Sequence, residues 1–460
     1  MPEPQLNRSK CLLLGGGARE HAIGETICRS GSVELFTLAS NHNPGLYKLS
    51  RKYHILSERD VDGIADWAVE QDIDFAVIGL EDPLDVGLPD TLAGRGIPTV
   101  GPTQEAARLE TSKRFLRDLM QRHDIAGQVE YRYFDRVDEV KDFLLHKDAD
   151  YALKPVGLTA GKGVKVMGVQ LASAEEAVSY ARSVIEQRIG GAPGLIIEER
   201  LIGEEFTLQA FVDGKSIVPM PLVKDFKLAY EGDRGPNTGS MGSYSQADGL
   251  LPFVSKQTYE TALQILDEIV SALDAEGIVY KGIMYGQFCM TERGPKLIEI
   301  NARFGDPEAI NVLPLLQTDF VEICQAIISG TLTMLDVRFA PKATVCKYVT
   351  PPRYPTRPKV GVPLHLDRTA IEALGVKIYF AKVNDGKEAD TVLTTTSRSI
   401  ALVGIGGSVA EAEAMAEEAL NHVHGDHHVR HDIGKGVHEL APTPSLTQGA
   451  GMETALTGRL

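Results

Sequence analysis

Between residues 284 and 301 apolar and polar positions alternate as two strands joined by a tight turn. The first is MYGQFCM; in the second, KLIEIN, Leu297, Ile298 and Ile300 read as buried. Glu299 and Asn301, two apart, then share one face. The connection TERGP supplies Gly294 for a left-handed position. With Glu292, Arg293 and Gly294 as the loop, Gln287 lies opposite Glu299. One face would carry a carboxylate and two amides, oxygen donors that suit magnesium shared with a nucleotide's phosphates. An exposed polar sheet face explains the same pattern, and the hairpin alone does not decide.

The apolar run at 11–14, the loop GGGARE and the helical HAIGETICRS predict strand, glycine loop and helix, the opening of a doubly wound α/β domain. Glycines 15 to 17 let backbone N–H groups approach a phosphate at a helix's positive end, with Arg19 as a cation. Close strand-to-helix packing is the competing explanation. The next strand, VELFTLAS, runs into Ser40 and Asn41 where a nicotinamide ribose usually needs an acid, so the loop signals phosphate more than a dinucleotide, and a nicotinamide dehydrogenase stays a rival reading. Strands at 75–78 and 98–100 end in GLEDPL and GPT, at the edge where such sheets bind ligands. One helix is predicted over 105–123, with Ala107, Leu109, Phe115, Leu116 and Leu119 apolar and Lys113 inside it. In DYALKPVGLTAGKGVKVM, strand follows the glycine loop and GxxxxGK[ST] is absent, so it is not a Walker loop. A hairpin tip with Lys162 suits a lid over triphosphate, and a plain glycine-rich hairpin is the alternative. Ser173 and Glu176 cap a helix over 175–189. Asp213 and Gly214 close a hairpin.

A chain of 460 residues, 43% hydrophobic, predicts roughly three globular domains. The net charge of −16 has no long acidic run; it speaks against nucleic acid and anionic membranes, and anionic substrates would need local basic pockets. Five cysteines without CxxC, in apolar patterns, predict reduced thiols in the cytoplasm. No apolar run is long enough to span a bilayer. From residue 342 the strand ATVCKYVT, then IALVGIGGS and a helix capped by Ser408 and Glu411, predict a carboxyl-terminal domain beside the crevice. Histidines 422, 424, 427, 428 and 431 lack metal-site spacing.

In chain order, Lys154, the loop at 157–163, IIEERLIGEEFT, Gln287 and IEINAR resemble the ATP-grasp family. More closely, GGGAREHA, GPTQEAARLETSK, GLTAGKGV, GPNTGSMGSYS, NARFGDPE and RHDIG resemble the phosphoribosylamine–glycine ligases through nearly the whole chain. The resemblance implies an α/β, partly α+β, ATP-grasp fold. It implies an amino-terminal phosphoribosylamine domain over 1–110 and an ATP-grasp domain over 111–335, with a lid at about 130–202 and a core at about 203–335. A carboxyl-terminal domain over 342–440 and a flexible tail over 441–460 complete it. It also implies ligation of glycine to 5-phosphoribosylamine with ATP and Mg2+ or Mn2+, small molecules as the partners, and a monomer or small homo-oligomer. Another ATP-grasp ligase of purine metabolism is the nearest rival, opposed by GPNTGSMG and RFGDPE.

By the same resemblance, adenine lies against the backbone from Glu199 to Leu201, beside Glu198, with Glu205 on the ribose hydroxyls. Lys113, Lys154, Gly161, Lys162 and Gly163 meet phosphates, and Gln287, Glu299 and Asn301 hold the metal. Arg303 stabilises charge on the transferring groups, with Asp225 and Lys227 as catalytic neighbours. Gly16, Gly17, Arg19, Glu20, Glu81 and Pro83 on one side, and Asn237, Thr238, Gly239, Met241, Gly242, Asp306 and Glu308 on the other, bind substrates. Asp225 or Glu308 would partner glycine's ammonium. Phe226 and Ser240 stand where bacterial relatives usually carry histidine and glycine, departures that bear on amine recognition.

Overall fold

Strand Ser9–Leu14 lies at the centre of a parallel sheet, fully buried from Cys11 onward, because its apolar side chains find cover on both faces. The strand order is Lys52–Ile55, Val33–Ala39, Ser9–Leu14, Phe75–Ile78 and Thr99–Val100, the doubly wound arrangement expected from the sequence. The protein is described by a computed structural model covering residues 8–145, 150–158 and 163–437. Helix Ala18–Arg29 starts from Gly17, and GLEDPL forms the short helix Glu81–Asp85. Both begin at the carboxyl edge of the sheet.

A second, antiparallel sheet runs Tyr131–Phe134, Leu195–Glu199, Tyr151–Pro155 and Lys165–Val166, with helices Val137–Leu145 and Ala174–Gln187 packed on it. The Glu176 N–H donates to the Ser173 hydroxyl at 3.3 Å, so the expected cap forms. Gly161 and Lys162 of the expected lid loop lie outside the described residues, as does the expected tail over 441–460. The third sheet runs Ile217–Pro219, Glu204–Asp213, Lys281–Thr291 and Gly294–Asn301. Helix Lys256–Ala275 backs it, with Ile265 and Leu266 in one apolar cluster with Phe206 and Phe288.

The fourth sheet joins distant parts of the chain. Strands Lys224–Asp225 and Gly242–Ser245 lead into Ala343–Val349, Ile400–Gly406 and Lys377–Phe380. Gly242 makes that junction possible: at φ +152° a Cβ there would lie 2.1 Å from the Cys346 carbonyl oxygen. The sheet also abuts the amino-terminal one, since the Phe380 N–H donates to His21 Nδ1 at 3.0 Å and Asn43 donates to the Phe380 carbonyl at 2.7 Å. Among the described residues no helix is long and apolar enough to cross a membrane.

Two expectations are corrected. The helix over 105–123 is two, Arg108–Thr111 and Lys113–Arg122, because Ser112 is extended and its hydroxyl accepts from the Phe115 N–H. The central hairpin turns on two residues, not three, with Thr291 paired to Gly294. That would shift the whole pairing by one residue. A bulge restores it: Phe288 faces Leu297, yet Gln287 faces Glu299 as expected. Ile298 is the extra residue and is half-buried rather than buried.

Arg117 holds the bulge. Its guanidinium donates to the Leu297 carbonyl at 3.0 Å and the Ile298 carbonyl at 2.6 Å, and its Nε to Glu198 at 2.9 Å. Arg117 and Glu198 are 3% and 2% exposed, so removing the cation leaves two carbonyls without their donor and the buried carboxylate with Lys154 as its remaining ion-pair partner. Arg117→Met is expected to destabilise the protein by about 3–5 kcal/mol, measured by denaturant unfolding; a loss below about 1 kcal/mol would contradict this reading.

Candidate functional site

Acids and cations from three sheets meet where the Gly294–Asn301 strand ends. Arg303, just beyond it, pairs with Glu81 at 3.1 Å and with Glu110 at 3.1 Å, and donates to Asn301 Oδ1 at 3.1 Å. Burial raises the Glu81 carboxyl, but Arg303 and Arg19 outweigh it and hold it down to about 2. Glu110 is pushed up to about 7 by burial, against the pull of Arg303. Its second oxygen accepts from the Ala302 N–H at 2.7 Å, which fixes the turn leading to Arg303.

On the lid side Lys154 pairs with Glu198 at 2.6 Å. Burial works against the Glu198 charge, yet Arg117 and Lys154 hold its carboxyl down to about 2. The Glu198 carboxylate is thus held inside the fold by two cations. Glu199 points the other way, to the Glu130 N–H and Arg293, and Leu201 follows in the crossing from the lid strand to strand Glu204–Asp213. Lys113 is not the solvated helical lysine of the simplest reading. It opens its helix, its N–H donates to Val156 and its Nζ to the Gly157 carbonyl at 3.1 Å. Burial lowers its pKa. Gly163, past the undescribed tip, accepts from the Tyr180 hydroxyl.

Across the core sheet Lys227 pairs with Glu205 at 2.9 Å and lies 4.0 Å from Asp225. Gln287 is fully buried, and its Oε1 accepts from the Thr207 hydroxyl at 3.1 Å and from Tyr285, while Nε2 donates to Glu205 at 3.1 Å. Its amide nitrogen thereby orients Glu205, while its oxygen faces the hydroxyls of Thr207 and Tyr285. Glu308 accepts from Tyr285 at 2.9 Å and Thr207 at 3.3 Å. Burial, reinforced by Asp225, raises Glu308 to about 7; burial raises Asp225 too. Glu299, opposite Gln287, has no hydrogen-bond or ion-pair partner among the described residues.

The expected substrate residues fall into two groups. On the amino-terminal side, Arg19 is no free cation. It pairs with Glu20 at 2.5 Å and donates to the Phe304 carbonyl at 3.0 Å. Glu20 turns back to accept from the Gly17 N–H at 2.7 Å, so one helix-end donor is already used, and Gly16 lends its carbonyl to Asn41 and Asn43. Pro83 is buried behind Glu81. On the other side, Asn237 and Gly239 are exposed and Thr238 is half-exposed, its hydroxyl donating to the Lys227 carbonyl at 2.9 Å. Met241 is enclosed: its side chain is fully buried, its N–H donates to Phe226 and its carbonyl accepts from Tyr348. Gly242 serves strand packing. Asp306 is also committed, accepting from Tyr348 at 2.5 Å and Arg398 at 2.9 Å.

Among the described residues no group of three or more His, Cys, Asp or Glu side chains is placed to hold a metal ion. Of the five carboxyl-terminal histidines, His431 pairs with Glu417 at 2.7 Å and His428 meets the Ala229 carbonyl at 2.9 Å. Two surface cavities, of about 470 and 960 Å3, share none of the clustered residues.

Comparison with known proteins matches residues 9–110, 111–309 and 344–436 to the N, ATP-grasp (A) and C domains of phosphoribosylglycinamide synthetase. A phosphoribosylamine–glycine ligase of Methanothermobacter thermautotrophicus is 47% identical over 425 residues, 92% of this chain and 96% of the relative. That of Methanocorpusculum labreanum is 48% identical over the same shares. The chain belongs to the phosphoribosylamine–glycine ligase family. It is an ATP-grasp ligase, as the motifs implied. The crystal structure of the Thermotoga maritima phosphoribosylamine–glycine ligase superposes with a TM-score of 0.77 at 26% identity, covering 92% of this chain and 99% of that one. A biotin carboxylase domain from Hydrogenobacter thermophilus, at 15% identity and a TM-score of 0.70, covers 91% of each chain and shares the fold alone.

Five residues of the cluster escaped the sequence reading. Glu110 stands inside a quoted family motif. Tyr285, two before Gln287 on the same strand, was open to the period-two argument already applied to Glu299 and Asn301. Thr207 lies opposite Gln287. Arg117 stands one helical turn from Lys113, and Arg398 has no local signal.

Ser240 sits at φ +81°, a region that disfavours a side chain. Its hydroxyl compensates, donating to the Gly242 carbonyl at 2.9 Å and accepting from the Phe226 N–H at 3.2 Å. Ser240→Gly is therefore expected to stay within about 1 kcal/mol of the parent, whereas Ser240→Ala keeps the strained backbone without the bonds and loses about 1–3 kcal/mol. Thermal melts of the two variants side by side check this, and an alanine variant as stable as the glycine one would contradict it.

Proposed function

We propose that the chain joins glycine to 5-phosphoribosylamine, giving glycinamide ribonucleotide, ADP and phosphate, through a glycyl phosphate intermediate. The observation that supports it most directly is the uncommitted Glu299 carboxylate in a cluster where every other acid already has a partner. A carboxylate left open beside Asn301 and near Lys113 suits the divalent cation that ATP-grasp ligases use. Gln287, Glu299 and Asn301 would hold Mg2+ or Mn2+, Glu299 supplying the charge and the two amides neutral oxygens. When bound, the ion neutralises phosphate charge.

The chain's own groups do the rest. Lys113 and Lys154 contact phosphate oxygens, and the backbone from Glu199 to Leu201 borders the adenine. Arg303, held between Glu81 and Glu110, faces the charge that moves from ATP to the glycine carboxylate. A carboxylate resists nucleophiles because of its charge; phosphorylation removes that charge and makes a leaving group. The amine nitrogen of phosphoribosylamine then attacks the carbonyl carbon and phosphate departs. Asp225 and Glu308 are buried acids with raised pKa values, and Asp225 raises Glu308 further. A cation between them relieves both, which suits glycine's ammonium. The loop at 237–242 and the amino-terminal glycine loop receive the phosphoribosyl group. A cytoplasmic location belongs to this reading, supported by five free thiols.

Glu299→Gln keeps size and removes charge. It is expected to lower ADP formation by at least about 100-fold with the fold intact by circular dichroism; an unchanged rate with both substrates present would sink the assignment.

Hydroxylamine tests the intermediate, because a small nucleophile needs none of the phosphoribosyl contacts. With Mg-ATP and glycine it should yield glycine hydroxamate slowly and in step with ADP, and the product should vanish in Arg303→Ala. ADP without hydroxamate, or hydroxamate made equally well from acetate, would count against glycine activation at this site.

A further inference from the structure

Arg398 stands in the turn between strands Thr391–Thr394 and Ile400–Gly406, over 150 residues along the chain from the loop it touches. Its guanidinium donates to the carbonyls of Gly239 and Ser240, the second at 3.0 Å, and to Asp306 Oδ2 at 2.9 Å. Its planar face lies 4.2 Å from the Tyr348 ring centre, and the Tyr348 hydroxyl donates to Asp306 Oδ1 at 2.5 Å. Both Asp306 oxygens are therefore anchored to the carboxyl-terminal sheet and its turns. The side chain is 12% exposed, so the contacts are made away from bulk water. Gly239 fits the arrangement, since a Cβ there would come 3.4 Å from the guanidinium carbon.

These contacts join two segments. One is the loop at 237–242, whose Asn237 and Gly239 are exposed; the other is the turn at 305–308, which leads to Glu308. Tyr348 already links the two segments at Met241 and Asp306, and Asn311 links them at Ser243; Arg398 adds the contacts that reach the exposed end of the loop, at Gly239 and Ser240. A loop with exposed donors binds a sugar phosphate well only when its backbone is already in place. We propose that Arg398 is a positioning residue for phosphoribosylamine, contributed by the carboxyl-terminal part of the chain to hold the 237–242 loop against Asp306. This rests on the assignment of that loop to the phosphoribosyl group.

Lysine retains the charge but not the fork that reaches two carbonyls and a carboxylate together. Arg398→Lys is expected to raise the KM for phosphoribosylamine about ten-fold or more, with KM for ATP and for glycine within about two-fold of the parent. A general loss of structure would move all three constants and the melting temperature. Tyr348→Phe, which removes one bond to Asp306 and leaves Arg398 in place, should raise the same single KM by less and serves if the lysine variant does not fold. Equal rises for all three substrates, or no rise for the amine, overturn the proposal. Asn237→Ala separates the two layers of inference. If it raises the amine KM while Arg398→Lys does not, the role of Arg398 falls alone; if it too leaves that KM unchanged, the loop assignment has failed.

Discussion

The bulge at Ile298 is the constraint on which the site depends. Strict alternation would place Leu297 on the same face as Glu299 and Asn301. Leu297 and Ile300 instead belong to one apolar cluster, three positions apart, and one extra residue between Leu297 and Glu299 reconciles the demands of the core and of the cleft. Strand Gly294–Asn301 is the edge of its sheet, and an unsupported bulge on an edge would leave carbonyls without donors. Arg117 takes both, and through Glu198 and Lys154 it connects the bulge to the lid sheet. The sheet that holds Glu198, helix Lys113–Arg122 and strand Gly294–Asn301 are thus fastened at one guanidinium.

Much of this was readable from residues, and the hairpin shows both the reach and the limit of such reading. The pairing of Gln287 with Glu299 was correct although the turn was one residue too long, because the bulge adds back what the shorter turn removes. Alternation finds the faces, but it does not reveal where a strand skips a step, since that depends on which side chains the opposite layer accepts. The break at Ser112 was hidden for a related reason. Its apolar spacing continues through the gap, and only the serine's hydroxyl, available as a cap, marks the interruption.

Partner choice was less visible than position. Arg19 lies beside the glycine loop as expected, yet Glu20 and the Phe304 carbonyl engage it. Strand alternation turns Glu198 inward, to Arg117 and Lys154, and leaves Glu199 outward. Arg398 and Asp306 are the extreme case: 92 positions separate them, and nothing near either predicts the other. Long-range ion pairs of this kind follow from the packing of layers, which the residue pattern constrains only as a whole.

A chain of net charge −16 that handles phosphorylated substrates must keep cations in the cleft without leaving them bare. Here nearly all of them are balanced in place: Lys154 by Glu198, Lys227 by Glu205, Arg303 by two acids. Balanced cations can be buried and held rigid, which favours a preorganised site over one that gathers its charges when the substrate arrives. Two groups depart from that balance. Among the described residues the Lys113 ammonium meets only the Gly157 carbonyl, and burial weakens its proton's hold; the Glu299 carboxylate has no hydrogen-bond or ion-pair partner there. An incoming anion stabilises the first and an incoming cation the second. A metal-bound nucleotide brings both together, so two charges of opposite sign without an ion-pair partner among the described residues agree with the proposed site.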